Sequence, residues 1–182
     1  MDFVEYFAIG SMMNPVSLKM RGLNPIKSRP GVLKRFELIF VMAHGMAAAR
    51  RCKSSEFSIA KEIHGVLHRV TRAEMDMLNK LESTYVVGER VMVEVYKDKH
   101  LVTDREGVKD DSIACYDRHD DTIETSVEAT VYVLNDELVS KDPKRFAQNP
   151  PSERYIEILK GGANHYGLNV INNRRVLILY LC

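Results

Sequence analysis

The chain has 182 residues, of which 45% are hydrophobic and 28% charged, and its net charge is +1. That suits one globular domain, 1–182, able to bury a core without disulfides, and it excludes the field that would select nucleic acid or an anionic membrane. Three scattered cysteines, Cys52, Cys115 and Cys182, argue against a disulfide framework and for a reducing, cytoplasmic setting.

Asp2 and Glu5 stand where a signal peptide would need basic residues, and no apolar run nears the roughly 20 residues of a membrane span. FVEYFAI, residues 3–9, reads as a strand, with Phe3, Glu5, Phe7 and Ile9 on one face and Val4, Tyr6 and Ala8 on the other. It runs into Gly10-Ser11 and two methionines, then a proline- and glycine-rich stretch with a short helix around Val16–Gly22. GVLKRFELIFVM predicts one long strand from Val32, followed by a turn at Gly45 and a small-residue strand in MAAAR. The basic run Arg50-Arg51-Cys52-Lys53 reads as a solvated loop. IHGVLHRV is a further strand ending at Thr71.

TRAEMDMLNKLE predicts the clearest helix. Thr71 and Glu74 have capping-box spacing, and Met75, Leu78 and Leu81 recur on one face. RVMVEVY alternates again as a strand over 90–96. Residues 97–126 are polar and without period, as in a long excursion between strands, and VEATVYVL over 127–134 closes it. A second helix follows Ser152, with Tyr155, Ile156, Leu159 and Ala163 along one side and Gly167 at its exit. The tail VLILYLC reads as a strand or packed end without a lipid-anchor motif. Six strands with two helices and no linker predict an α+β fold.

Chemistry-bearing groups are few. His64 and His68 have metal spacing only on a helix, and their neighbours favour a strand, so no metal is expected. Cys115 and His119 form a thiol–imidazole pairing only on paper, because they lie in the charged excursion. Glu82 stands out: it ends the capped helix, where partial burial and the negative helix end both disfavour its charge, as suits a proton-exchanging group. The Gly10-Ser11 turn presents successive backbone N–H groups, which can hold an anion.

Three ordered pieces resemble the γ-glutamylcyclotransferase-like family. FAIGSMM, Phe7–Met13, resembles its strand-to-loop signature. HGVLHRVTRAEMDMLNKLE, His64–Glu82, resembles its strand, helix and catalytic glutamate. PSERYIEILKGGANHYGL, Pro151–Leu168, resembles its late tyrosine-bearing helix. The resemblance implies a curved mixed β-sheet closing into a small barrel with flanking helices. It implies cofactor-free release of 5-oxoproline from a small-molecule γ-glutamyl substrate, an acyl transfer to an internal amine. By the same resemblance Glu82 is the general acid/base, and Phe7, Ala8, Ile9, Gly10, Ser11, Met12, Met13, Tyr132 and Tyr155 bind substrate. Ile9, Met12 and Ser83 depart from the family pattern. They leave open a non-catalytic domain that binds a small acidic ligand or a protein partner, or an enzyme using Glu82 on a different amide or amine.

Overall fold

A computed structural model describes residues 2–52, 61–82, 86–96, 123–173 and 176–181, with side chains as far as Leu168. Phe3–Ala8 forms β1, and both its faces find a core as the alternation predicts: Tyr6 and Ala8 on one side, Phe7 and Ile9 on the other. A 3-10 turn, Ser11–Met13, leads into α1, Pro15–Met20, which Asn14 caps by accepting from the Val16 N–H at 2.9 Å.

The expected long strand is two strands. β2, Lys27–Lys34, and β3, Phe36–Val41, are separated by Arg35, whose φ of 66° turns the chain. A left-handed arginine has no local signature in sequence, and Lys34-Arg35 is the one adjacent pair of charges in a mostly apolar run. β4, Met46–Arg51, pairs back on β3 after the turn at Gly45. The basic run is tied down at two places, Arg50 to Glu37 and Arg51 to Glu89.

β5, Glu62–Thr71, pairs antiparallel with β1 and with β2. α2, Arg72–Glu82, follows at once, and its capping box is formed: the Glu74 carboxylate accepts from the Thr71 N–H at 2.7 Å, and Thr71 Oγ1 accepts from the Glu74 N–H. Met75 and Leu78 are buried, but Leu81 is 50% exposed, so the apolar face stops short of the helix end. β6, Val86–Tyr96, buries Val91, Val93 and Val95 and pairs with β7, Ile123–Leu134. Of the expected excursion 97–126, residues 97–122 lie outside the described residues, and 123–126 belong to β7. α3, Asp136–Lys141, and α4, Glu153–His165, follow, then the hairpin of β8, Leu168–Asn173, and β9, Val176–Leu181. α3 and β8 go beyond the elements read from the sequence, and the tail, read as a strand or packed end, is the strand β9.

β1, β5, β2, β6 and β7 pair in that order, and a parallel β1–β7 contact at Tyr6 and Thr130 closes them into a five-stranded mixed barrel. The β3–β4 hairpin joins at β7 through Ala49 and Val133. One core cluster, with Phe7, Leu33, Val93 and Val131, draws only on strands and their flanking residues. The other, with Ala8, Leu78, Leu159 and Ala163, glues the helices to the barrel. Each fully buried large apolar side chain contributes about 1.5–3 kcal/mol. β1 and β5 approach closely because of Gly65, where a Cβ would stand 2.3 Å from the Ala8 carbonyl oxygen and 2.9 Å from the Phe7 ring. Gly65→Ala is expected to destabilise the protein by about 1–3 kcal/mol through overpacking, read as a lower urea midpoint. No helix among the described residues is long and apolar enough to cross a membrane.

Candidate active site

β1 and α2 each deliver one half of a cleft. β1 ends at Ala8 and turns sharply through Gly10, while α2 ends at Glu82. The cleft between them, narrow and open to solvent, is lined by Ile9, Gly10, Ser11, Met12, Glu82, Tyr132 and Tyr155, with Met46 and Ala47 from β4 opposite. Tyr6 and Phe7 complete its inner wall. Ala8 and Met13 are fully buried and do not line it.

The Glu82 side chain is 13% exposed, and its Oε1 accepts a 2.8 Å hydrogen bond from Arg21 Nη1. Arg21 sits at the C-terminal cap of α1, where its N–H bonds the Ser17 and Leu18 carbonyls. A fixed helix end thus aims a guanidinium at the carboxylate from outside the cleft. Nothing in the sequence marked Arg21, because the pairing spans two helices that only the fold brings together.

The loop is built by backbone bonds and braced by side chains. Met13 and Asn14 spend their N–H groups on the carbonyls of Gly10 and Ser11. Those two N–H groups are therefore spent within the turn itself. Asn14 Nδ2 donates to the Ile158 carbonyl at 3.0 Å, which ties the loop to α4. His68 Nε2 donates to the Met12 carbonyl at 3.1 Å, and its Nδ1 accepts from the Ser28 hydroxyl at 2.8 Å. These two contacts fix the tautomer of a fully buried imidazole. Burial pushes its pKa down to about 4, so it acts as a neutral strut. Asn14 and His68 supply bracing at a place where Met12 has no side-chain amide to offer.

The two tyrosines frame the carboxylate. Tyr132 donates its hydroxyl to Asn79 Oδ1 at 2.8 Å. Burial, helped by the charge of Glu82, pushes its pKa well above the usual tyrosine value. Tyr155 is also shifted upward, by burial first and by Glu82, against opposing hydrogen bonds from Ala47 and Ser11. Both hydroxyls therefore stay protonated at ordinary pH. Gly10 makes the Tyr155 contact possible: a Cβ there would stand 3.0 Å from the tyrosine hydroxyl.

His64 does not line the cleft; it lies nearer the start of β5, with Nε2 3.0 Å from Glu62 and its ring stacked on Tyr96. Among the described residues no cluster of His, Cys, Asp and Glu is arranged to hold a metal. Cys115 and His119 lie outside the described residues.

A closed five-stranded mixed barrel with flanking helices is the γ-glutamyl cyclotransferase-like fold, and the chain has it. It superimposes on a γ-glutamyl cyclotransferase with a TM-score of 0.59 at 17% identity, covering 91% of this chain and 81% of that one. The human protein loc79017 gives 0.60 at 16% identity, with 92% and 82% covered. A yeast γ-glutamyl cyclotransferase specific to glutathione gives 0.53 at 11% identity, with 89% and 87% covered. At such identities the likeness is one of fold. No family model matches the chain, and no curated protein matches it in sequence.

Proposed function

We propose that the cleft converts a γ-glutamyl compound into 5-oxoproline and a free amine, with Glu82 as general acid/base. The observation that supports this reading best is the meeting of Glu82 with the Gly10–Met12 backbone in one cleft, although the two lie far apart in sequence. The α-ammonium of the substrate must lose a proton before it can attack, and Glu82 accepts it. The amine nitrogen then bonds to the γ-carbonyl carbon, closing a five-membered ring. Glu82 returns the proton to the departing nitrogen as its bond to that carbon breaks, and the second proton, shed by the ring nitrogen as it becomes an amide, passes the same way to the released amine. No other reactant is needed.

Proximity carries much of the barrier. Holding the α-carboxylate on the loop folds the chain for attack, and well-oriented intramolecular reactions gain roughly 7–11 kcal/mol. The oxygen that becomes negative needs donors, and one such donor is typically worth about 3–4 kcal/mol. The protonated Tyr155 hydroxyl and the loop N–H groups are the proposed donors, since the Tyr132 hydroxyl is spent on Asn79.

Incubation with a panel of γ-glutamyl amino acids, γ-glutamyl amines and glutathione tests the reading, with 5-oxoproline as the readout. Release from at least one member is expected. Release from none, by a protein that is folded and pure, would turn the reading towards a non-catalytic binding domain.

A further inference from the structure

Tyr132 forms part of the cleft wall, and its back is turned to α2. Two contacts hold the ring: Tyr132 pairs with Gly88 across β6 and β7, and the Tyr6 ring packs on it with centroids 5.6 Å apart. The hydroxyl meets Asn79, which stands one turn before Glu82 on the same face of α2. Burial, and then the charge of Glu82, oppose loss of the hydroxyl proton. That proton is directed at Asn79 Oδ1, 2.8 Å away. Towards anything in the cleft the Tyr132 oxygen can therefore only accept.

We propose that the Tyr132 oxygen and the Glu82 carboxylate are an acceptor pair for the α-ammonium of the ligand, and that Asn79 is the positioning residue that makes Tyr132 an acceptor. The cyclotransferase reading supplies the identity of that ligand, and the inference rests on it there. An ammonium brings three N–H donors. Glu82 takes the proton of one. The Tyr132 oxygen accepts from a second, whose proton stays on the nitrogen after the first has gone. The nitrogen is thus held in one place while it changes from ammonium to amine, with its new lone pair left for the γ-carbonyl. Asn79 suits the task because an amide oxygen accepts without adding a charge that would compete with Glu82 for the cation. Without it the hydroxyl would turn its proton into the cleft. It would then meet the ammonium donor to donor and occupy the carboxylate that has to act as base.

L-glutamate and glutarate share both carboxylates and differ by the α-ammonium, so the ratio of their Kd values, measured by titration calorimetry, tests this. The parent protein is expected to favour glutamate. Asn79→Leu, close to Asn in size, should lower the preference roughly tenfold, as for the loss of one hydrogen bond to a charged group. Tyr132→Phe should lower it equally, and the double variant no further, because Asn79 acts through Tyr132. Asn79→Asp, which can only accept, should keep the preference. A merely structural role would weaken both ligands alike and leave the ratio unmoved. An unchanged ratio in Asn79→Leu, single effects that multiply in the double variant, or a parent that does not favour glutamate overturns the acceptor pair. Release of 5-oxoproline by the same parent would still leave the cyclotransferase reading standing. An Asn79-dependent ratio in a protein that releases 5-oxoproline from no γ-glutamyl compound overturns that reading instead and keeps the acceptor pair.

Discussion

Glu82→Gln is expected to abolish release of 5-oxoproline while leaving the fold in place. The two side chains are nearly isosteric, and Gln keeps an oxygen able to accept from Arg21, which now donates to Glu82 Oε1 at 2.8 Å. The lost charge pairing is partly exposed and worth about 0–1 kcal/mol, so the urea midpoint should barely move. Chemistry should suffer far more. An amide cannot take the ammonium proton or return one to the leaving nitrogen, so both transfers fail together. General acid–base groups contribute about 10²–10⁴-fold, and the loss should appear in kcat rather than KM, since the transfers belong to the transition state. Glu82→Asp keeps the carboxylate but withdraws it by one methylene from the cleft and from Arg21, so partial activity is expected. Ordinary turnover by the Gln variant, measured on a substrate that the parent uses, would remove Glu82 from the mechanism.

The parts of this site that could be read in the sequence are those that local pattern carries. β1 announces itself by alternation and its abrupt Gly-Ser end. α2 announces itself by a capping box that forms as spaced. Glu82 and the loop could be paired in advance only through the ordered resemblance, because no local rule links a strand end to a distant helix end. Arg21, Asn79 and His68 were out of reach for the same reason: each acts across elements, and each has an ordinary local environment. The Arg35 break shows the opposite failure. Only the Lys34-Arg35 pair interrupts the strand pattern, and the turn rests on long-range bonds, from the Arg35 N–H to the Lys61 carbonyl and from the Cys52 N–H to the Arg35 carbonyl. Residues 123–126 were read as irregular because their sequence is polar, yet β6 supplies the partner that makes them strand.

Acid should weaken this protein through His68, by an amount that can be stated. Its folded pKa is about 4, set by burial, against roughly 6.5 in an unfolded chain. Above pH 6.5 the imidazole is neutral in both states and the fold is unaffected by its titration. Between 6.5 and 4 the unfolded chain binds a proton that the folded protein refuses, so stability rises with pH across that window and is lost on acidification. The total loss is about 3 kcal/mol once the pH falls below 4. The geometry explains the refusal. A second proton would go on Nδ1, which now accepts from Ser28, in a space with no exposure to water. Urea unfolding at steps from pH 7.5 to 4 reads the effect, with His68→Gln as the comparison. Gln offers one donor and one acceptor and does not titrate, so the variant should start less stable at pH 7.5 and then decline less steeply. Titrations elsewhere in the chain cancel in the difference between the two curves, which should close by up to about 3 kcal/mol as the pH falls. Curves that stay parallel would show that His68 gains its proton as easily in the fold as out of it, and the neutral strut beneath the Met12 carbonyl would have to be given up.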